Sequence, residues 1–268
     1  MRKYLTALPL FALTLSGCQA QPAAESVQPV EDVELVVFAA ASLTETFEQI
    51  ATLFEAANPG VKVIFTFDSS GTLKTQIEEG AVADVFVSAA QKQMNQLEDG
   101  NDENTAGLDF ILPDTRIDVV ENKVTLVVPL GNPKGVSTFT DLASDNVALI
   151  ALGNADVPVG QYSEELLKNL GIWDQIQPKV TFGSNVKEVT TWVSEGVVDC
   201  GIVYKTDAFS ANLEVVAEAG TDLLKTPVIY PGAVLKNTLH PTQAKAFLDF
   251  LHSAEAQTIL NNVGFSIP

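Results

Sequence analysis

The sequence predicts an α/β fold of two lobes, each with a mostly parallel sheet flanked by helices. Two observations lead to this prediction. Strand-like and helix-like segments alternate from residue 35 onward, and the alternation runs in two separate series. The chain has 268 residues, of which 46% are hydrophobic and 18% are charged, so it can bury the core that such a fold needs.

The first series alternates three strands with two helices. The first strand, at residues 35–40, is a short apolar run, as expected for a strand buried on both faces, and the next two strands are predicted at residues 61–67 and 84–89. The first helix, at residues 43–56, has apolar side chains at helical spacing, and the second, at residues 73–80, ends at Gly80. This order of elements predicts neighbouring parallel strands.

The second series repeats the pattern further along the chain. Its predicted strands lie at residues 124–129, 147–152, 179–182 and 199–204, and its predicted helices at residues 161–170 and 186–195. The chain finishes with a predicted strand at residues 227–233 and a predicted helix at residues 241–251.

Two strand-rich segments, at residues 121–129 and 226–235, are candidates for the places where the chain crosses between the lobes. We therefore expect residues 33–122 and 228–268 to form lobe I, with the C-terminal helix packed on it. Residues 123–227 are expected to form lobe II.

The N-terminus predicts export and a lipid anchor. A short positive head precedes a mostly apolar run that is too short for a transmembrane helix, and the sequence Leu-Ser-Gly-Cys ends at Cys18. This layout resembles a bacterial lipoprotein signal, so residues 1–17 are a predicted signal peptide and Cys18 a predicted lipidation site. A plain signal peptide with an incidental cysteine is the alternative. Residues 18–32 predict a flexible tether, and we expect a periplasmic or cell-surface lipoprotein.

The composition argues against several classes of function. The net charge is −19, and it becomes −21 without residues 1–17, which hold two basic residues and no acidic one. We expect no nucleic-acid partner, because affinity for nucleic acid comes mostly from Lys and Arg. Export argues against ATP or NAD, so we expect no cofactor. The chain has two cysteines and two histidines, which argues against a metal held by side chains, and Cys200 is expected to be a buried, inert thiol.

Three strand-to-helix junctions carry polar residues suited to anion binding. They lie at residues 39–45, 67–73 and 182–186. Ser42 and Glu45 have the spacing of a capping box, Ser70 follows the second strand, and a helix begins near Val186. In open α/β sheets, ligands bind beyond the carboxyl ends of the strands. These junctions could therefore face one cleft, although each could also be a structural cap and turn.

The three junctions contain no Lys or Arg. Lys74 and Lys187 follow directly, and we expect both to be exposed. The first N–H groups of a helix have no partner inside the helix and carry partial positive charge. Converging helix starts lined with hydroxyl groups would therefore bind an oxyanion without a basic side chain.

A secreted hydrolase that uses Ser42 or Ser70 as nucleophile is an alternative. Neither serine lies in a G-x-S-x-G sequence, and neither His240 nor His252 lies in a comparable junction. The chain also has no G-x-x-x-x-G-K-[ST] or H-E-x-x-H motif. We therefore predict that the protein is not an enzyme.

Four stretches resemble the periplasmic molybdate-binding proteins of ABC importers. They are VVFAAASLTETFEQIA, FDSSGTLKTQIEEGAVADVFVSAAQKQM, VPVGQYSEELLKNLGIWD and CGIVYKTDA, and the resemblance runs from about residue 34 to the final VGFSIP. It implies the type II periplasmic-binding-protein fold, with the ligand in the cleft between the lobes. It also implies molybdate or tungstate as ligand and an ABC permease as partner, and we expect a monomer.

The resemblance also implies which groups bind the oxyanion. They are the hydroxyl and N–H groups of Ser42 and Ser70, the backbone N–H groups of Val159 and Val186, and the phenol of Tyr204. Two residues depart from the family's pattern. Val159 replaces a smaller residue, which leaves the backbone donor intact. Asp68 stands where a small residue is usual, and we expect it to point outward, because an inward carboxylate would repel a dianion or accept the proton of hydrogen phosphate.

The expected donors bear on selectivity. A site made only of donors leaves the proton of hydrogen phosphate unpaired, at a cost of roughly 1–3 kcal/mol. Molybdate, tungstate and sulfate carry no proton at neutral pH and suit such a site. A receptor of the same fold for another oxyanion such as sulfate, and a purely structural lipoprotein, are the remaining alternatives. We expect the two lobes to close around the anion by a hinge motion.

Overall fold

Two five-stranded sheets organise residues 32–224 and 226–268, the part of the chain that a computed structural model describes. In chain order the strands are β1 (Val33–Ala40), β2 (Val61–Asp68), β3 (Val85–Val87), β4 (Ile117–Asn122), β5 (Val124–Val128), β6 (Ile150–Gly153), β7 (Val180–Gly183), β8 (Cys200–Tyr204), β9 (Glu214–Glu218) and β10 (Val228–Val234). The predicted signal peptide at residues 1–17, Cys18 and the tether up to residue 31 lie outside the described residues.

Helices pack around both sheets. They are α1 (Thr44–Ala57), α2 (Ser70–Glu78), α3 (Gln91–Leu97), α4 (Pro158–Asn169), α5 (Trp173–Ile176), α6 (Val186–Ser194), α7 (Lys205–Ser210), α8 (Pro241–Phe250) and α9 (Ala254–Asn262). Short 3₁₀ helices occupy Ala41–Leu43, Phe139–Ala143 and Gln177–Lys179. No helix among the described residues is both long and apolar enough to cross a membrane.

The first sheet has the strand order β2-β1-β3-β10-β4. β1, β2 and β3 are parallel, and only β10 runs against its neighbours. Ala39 of β1 pairs with Phe67 of β2 and with Val87 of β3. The three parallel strands therefore end side by side, and the chain segments that follow them meet at one edge of the sheet.

The second sheet is built in the same way, with the order β7-β6-β8-β5-β9. β6, β7 and β8 are parallel, and only β5 runs against its neighbours. Gly153 of β6 pairs with Gly183 of β7, so α4 and α6 begin at the same edge. The prediction of two α/β lobes with mostly parallel sheets is confirmed.

The chain crosses between the sheets at two places. Only Lys123 separates β4 in the first sheet from β5 in the second, and the segment after β9 returns to the first sheet at β10. Both crossings coincide with the segments that we expected to serve this purpose. The bounds of the lobes, 33–122 with 228–268 and 123–227, stay predictions.

The C-terminal helix packs on the first lobe, as expected. Phe247 of α8 is fully buried and contacts Phe54 and Phe47 of α1 edge to face, with ring centroids 5.3 and 6.1 Å apart. Burial of one such side chain stabilises the fold by about 1.5–3 kcal/mol, and edge-to-face contacts between aromatic rings add to this. The helix therefore fixes α1, and with it the junction that precedes α1, against the first sheet.

Candidate functional site

A small cavity lies between the carboxyl ends of the strands in the two sheets. The lining residues from the first lobe are Ala40, Ala41, Ser42, Asp68, Ser69, Ser70 and Ala89, and those from the second are Val157, Pro158, Val186 and Tyr204. The cavity volume is about 10 Å³, which is about the space of one water molecule. The structure therefore brings all three predicted junctions to one place, with the lobes close together.

A larger cavity lies beside the crossing strands. Its volume is about 300 Å³, and Glu121, Lys123 and Glu218 contribute to its walls. Two carboxylates would repel an anion there, and none of the described helices begins at this cavity. The small cavity between the lobes is therefore the better candidate for an anion site.

Ser42 lies in the short 3₁₀ helix that joins β1 to α1. It is buried, and its Oγ lies 3.0 Å from the phenol oxygen of Tyr230. The capping box predicted for Ser42 and Glu45 is wrong, because the N-cap of α1 is Leu43 and no side chain caps it. Both side chains have partners far away in the chain instead, Tyr230 for Ser42 and Lys187 for Glu45.

Ser70 is the first residue of α2 and is fully buried. The preceding residue, Ser69, is the N-cap, and its hydroxyl accepts a hydrogen bond from the backbone N–H of Thr72. The Oγ of Ser70 accepts a hydrogen bond of 2.9 Å from the backbone N–H of Ala89. Since a serine hydroxyl has one proton, that proton stays available for an acceptor inside the cavity.

The starts of α6 and α4 form the opposite wall. Asn185 caps α6 through a hydrogen bond from the N–H of Glu188, which leaves Val186 as the first residue of the helix and on the cavity wall. Val159 is the second residue of α4 and is fully buried, one residue behind Pro158 on the wall. Backbone N–H groups in the first turn of a helix have no acceptor inside the helix.

Tyr204 ends β8 and lines the cavity from the second lobe. Its side chain is buried, and its phenol donates a hydrogen bond of 3.2 Å to the carbonyl oxygen of Ala89 in the first lobe. Burial raises the pKa of Tyr204 well above its usual value, so the phenol keeps its proton and remains a donor.

Asp68 is among the residues that line the cavity, which differs from the expectation that it points outward. Its Oδ1 accepts a hydrogen bond of 2.7 Å from the backbone N–H of Ser69. This bond occupies one carboxylate oxygen of Asp68 near the start of α2. Alternate positions along a strand face opposite ways, but Asp68 is the last residue of β2, where this alternation ends. The sequence therefore could not indicate which way its side chain points.

The two lobes also touch directly beside the cavity. The backbone N–H of Gly71 donates a hydrogen bond of 2.9 Å to the carbonyl oxygen of Asp156. A Cβ atom on Gly71 would lie only 2.4 Å from that oxygen. The close approach of the lobes at this point therefore depends on glycine.

The expectation that Lys74 and Lys187 are exposed is wrong. Lys74 is half-buried and pairs with Glu78, four residues later on α2. Lys187 is half-buried and pairs with Glu45 across the cleft, with distances of 2.9 and 2.7 Å to its two carboxylate oxygens. In each case an acidic side chain covers the ammonium group. The i,i+4 spacing of Lys74 and Glu78 was a local signal for the first pair, whereas Glu45 lies 142 positions from Lys187.

A buried carboxylate adjoins this ion pair. Asp207, in the first turn of α7, is fully buried, and its Oδ1 lies 3.2 Å from the Nζ of Lys187. Burial raises the pKa of Asp207 to about 6, against the opposing effect of Lys187. Burial lowers the pKa of Lys187, but the carboxylates of Asp207 and Glu45 outweigh it and hold that pKa above its usual value.

Other predicted residues lie away from the cavity. His240 precedes α8, and the ring of His252 contacts the backbone of Asp118 through Nε2 at 3.1 Å. Cys200 is buried, as expected, and burial raises the pKa of its thiol to about 12. Within residues 32–224 and 226–268, no group of three or more His, Cys, Asp or Glu side chains is placed to hold a metal ion.

Several residues at the site were not predicted. Tyr230 contacts Ser42, Ala89 contacts both Ser70 and Tyr204, and Gly71 contacts the opposite lobe. The small residues that follow β3 were the available signal for Ala89, because small residues also follow β1 at its junction. Tyr230 had no such signal, since it lies within a strand-like run far from any junction.

Comparisons with known proteins agree with this geometry. The family of bacterial extracellular solute-binding proteins matches residues 35–266. The chain is 35% identical over 265 residues to the putative ABC transporter substrate-binding lipoprotein YvgL of Bacillus subtilis, covering 98% of this chain and 96% of that protein. It is 36% identical over 245 residues to the molybdate-binding protein ModA of Escherichia coli K12, covering 88% and 90%.

The fold is also similar to that of a solved structure. The periplasmic molybdate-binding protein of Azotobacter vinelandii superposes with a TM-score of 0.74 at 24% sequence identity, covering 87% of this chain and 99% of that chain. At this identity the likeness concerns the fold, and it confirms the predicted fold of a periplasmic binding protein.

Proposed function

The chain belongs to the bacterial extracellular solute-binding proteins, and we propose that it captures molybdate or tungstate between its two lobes and delivers the anion to the permease of an ABC importer. Relatives named as molybdate-binding proteins cover most of the chain, which supports molybdate as the ligand. The family is one of solute-binding proteins, which supports transport rather than catalysis.

The observation that carries this proposal is the hydrogen bond from the backbone N–H of Ala89 to the Oγ of Ser70. Because Ser70 accepts this bond, its hydroxyl proton is free to be donated, and we propose that an anion in the cavity accepts it. The cavity wall also holds the starts of α2 and α6, and none of the described residues that line it is Lys or Arg. Hydroxyl protons and first-turn N–H groups suit an anion that carries no proton of its own.

In the bound state we propose the donors that the resemblance implies. They are the hydroxyl and N–H groups of Ser42 and Ser70, the N–H groups of Val159 and Val186, and the phenol of Tyr204. The phenol would move from the carbonyl oxygen of Ala89 to the anion, since one phenol proton cannot serve both. The lobes already touch around a cavity of about 10 Å³, so the anion would enter a more open form, and the lobes would then close around it.

We propose that the donors select against hydrogen phosphate. The proton of that anion has no acceptor among these donors, at a cost of roughly 1–3 kcal/mol, which lowers affinity by about one to two orders of magnitude. Asp68 lines the cavity and has one carboxylate oxygen bound to the N–H of Ser69, so a proton accepted by its other oxygen would remove this selectivity. Sulfate carries no proton at neutral pH, so the size of the cavity must separate it from the larger molybdate. A sulfate receptor of the same fold is the second candidate.

The protein acts outside the cytoplasm, as solute-binding proteins of importers do. We propose that Cys18 is lipidated and anchors the protein to the membrane, with residues 18–32 as a tether, and that the protein is a monomer. YvgL, which is named a lipoprotein, covers 98% of this chain, and this supports the anchor.

Thermal melts and calorimetry with molybdate, tungstate, sulfate and phosphate test the function. A ligand at roughly 1,000 times its Kd adds about 4 kcal/mol of stability, which raises the melting temperature by several degrees. We expect this shift with molybdate and tungstate, and not with sulfate or phosphate. Stabilisation by sulfate alone would favour the second candidate. Turnover of ester substrates that is lost in Ser42→Ala would instead indicate a hydrolase, and no response to any anion would leave a structural lipoprotein.

A further inference from the structure

We propose that Tyr230 is a positioning residue for Ser42: it fixes the direction of the serine hydroxyl so that the Ser42 proton points into the cavity. This inference rests on the proposed binding of an oxyanion at the cavity. It assigns a role in selectivity to a side chain that does not line the cavity itself. Asn122, at the end of β4, controls the direction of the Tyr230 phenol.

The orientation of the Asn122 amide is fixed by its neighbour. The backbone N–H of Lys123 lies 2.8 Å from Oδ1 of Asn122. A backbone N–H can only donate, so the atom that faces it must be the amide oxygen. The amide nitrogen of Asn122 therefore faces the opposite way, into the protein.

That nitrogen has two hydrogen-bond partners. Nδ2 of Asn122 lies 2.9 Å from Oγ1 of Thr206 and 3.1 Å from the phenol oxygen of Tyr230, and these bonds are buried. An amide nitrogen can only donate, so its two protons are spent on these two oxygens. The phenol oxygen of Tyr230 is consequently an acceptor in this contact.

The phenol proton of Tyr230 then has one direction left. Its oxygen lies 3.0 Å from Oγ of Ser42, and among residues 32–224 and 226–268 the phenol has no further hydrogen-bond partner besides Asn122. Tyr230 is fully buried, and burial raises its pKa well above the usual value, so the phenol keeps its proton. Tyr230 therefore donates to Ser42, and Ser42 donates to whatever occupies the cavity.

Ser70 and Ser42 thus become hydrogen-bond donors toward the cavity through two different sets of contacts. Ser70 accepts from the backbone N–H of Ala89, and Ser42 accepts from Tyr230 under the control of Asn122. An anion without a proton finds a donor at each serine. In hydrogen phosphate the protonated oxygen is a poor acceptor for Ser42, so fewer orientations of this anion satisfy both serines, and the Asn122–Tyr230 pair contributes to discrimination between the two.

The first test is Tyr230→Phe, which keeps the ring and removes the hydroxyl. Ser42 becomes free to rotate, so we expect the Kd for molybdate to rise about two- to tenfold, the range for one net hydrogen bond. The Kd for phosphate should stay unchanged or fall, which lowers the preference for molybdate over phosphate. Tyr162→Phe is the matched control, since Tyr162 is also buried but does not line the cavity, and it should change neither constant.

The second test reverses the network. In Asn122→Asp the side chain loses its donor, so Tyr230 donates to the carboxylate and Ser42 turns its proton toward Tyr230. We expect a larger loss of molybdate affinity than in Tyr230→Phe. The double variant with Tyr230→Phe and Asn122→Asp has no phenol through which Asn122→Asp can act on Ser42. It should therefore bind molybdate as Tyr230→Phe alone does. A loss that persists there is a direct effect of the new charge and contradicts the proposal.

The outcomes distinguish a failure of the proposed function from a failure of the proposed role of Tyr230. If the unmodified protein binds none of the four anions, the proposed function fails, whatever the variants do. If it binds molybdate and Tyr230→Phe leaves both the Kd and the preference over phosphate unchanged, the function stands and the role of Tyr230 is refuted. If Tyr230→Phe does not fold, Asn122→Asp alone decides, since an unchanged preference over phosphate in that variant also refutes the role.

Discussion

The ammonium group of Lys187 lies 2.7 Å from Oε2 of Glu45, and this ion pair joins the two lobes beside the cavity. Lys187 directly follows Val186, which lines the cavity, and its Nζ also lies 3.2 Å from Oδ1 of the buried Asp207. A cation held by two carboxylates offers little net attraction to an anion. The pair therefore acts on the approach of the lobes rather than on the ligand directly.

The first prediction concerns this contact between the lobes. Glu45→Gln removes the charge on the first lobe and leaves the pair of Lys187 with Asp207 intact. Because the Glu45 side chain is 48% exposed, solvent screens the ion pair, and we expect only a two- to fivefold rise in the Kd for molybdate, or about 0.3–1 kcal/mol. Calorimetry at low and high salt measures it, since the difference should vanish at high salt. Glu48→Gln, exposed on the same helix, is the control, and equal constants for all three proteins would contradict the prediction.

The second prediction concerns pH. The raised pKa of Asp207, about 6 against a usual value of 3.8, means that the folded protein binds this proton more tightly than the unfolded chain does. Its contribution to stability is therefore fully present below about pH 4 and lost as the pH rises through about 6. The free energy of unfolding of the natural protein, minus that of Asp207→Asn, should rise by about 3 kcal/mol from about pH 7 to about pH 4.

Chemical denaturation across this pH range measures that difference. Taking the difference matters because Asp141 and Asp199 have lowered pKa values, and their contribution changes with pH in the opposite direction. Asp145→Asn, at an exposed position, controls for the loss of one negative charge. A difference between natural protein and Asp207→Asn that does not change with pH would show that burial does not raise the pKa of Asp207.

The third prediction tests closure of the lobes. In Gly71→Ala the new Cβ would lie 2.4 Å from the carbonyl oxygen of Asp156, so the lobes cannot approach as they do here. Gly71 is a helical residue, and alanine favours a helix by up to about 1 kcal/mol over glycine. We therefore expect an unchanged or higher melting temperature without ligand. Molybdate affinity should fall at least tenfold, which corresponds to a loss of about 1.4 kcal/mol of binding free energy for each factor of ten.

Small-angle scattering separates closure from folding in this variant. The natural protein should become more compact on saturation with molybdate, and Gly71→Ala should not. Thr75→Ala, on the exposed side of the same helix, is the control and should behave like the natural protein. Full affinity together with normal compaction in Gly71→Ala would show that the contact with Asp156 plays no part in binding.

The strands and helices with a regular apolar pattern were predictable from the sequence. β1, β2 and β6 are rich in apolar residues, and α4 and α6 carry apolar residues at helical spacing. Their ends differ from the prediction by a few residues, because caps and tertiary contacts decide where an element stops. α3 was not predicted, since its sequence QKQMNQL has too few apolar residues to show a helical period.

Only those features of the site that depend on neighbouring residues in the chain were predictable from the sequence. The three junctions follow from strand-to-helix boundaries, and the structure brings them to one cavity. The contacts that set their chemistry join residues far apart in the chain: 188 positions separate Ser42 from Tyr230, and 142 separate Glu45 from Lys187. A local pattern such as a capping box carries no information about such partners, which is why the prediction for Ser42 and Glu45 was wrong.

The last prediction tests Ser70 as a donor to the anion. Ser70→Ala removes a hydroxyl that would bind a charged ligand, so we expect molybdate affinity to fall about 10- to 100-fold, or about 1.5–3 kcal/mol. It also leaves the buried N–H of Ala89 without its acceptor, which should cost about 1–3 kcal/mol of stability without ligand. Thr115→Val is the control. The hydroxyl of Thr115 likewise accepts a backbone N–H, that of Val234, but lies away from the cavity, so this variant should lose stability and keep its affinity. If both variants lose stability and neither loses affinity, as measured by denaturation and calorimetry, Ser70 is a structural residue and not a ligand-binding one.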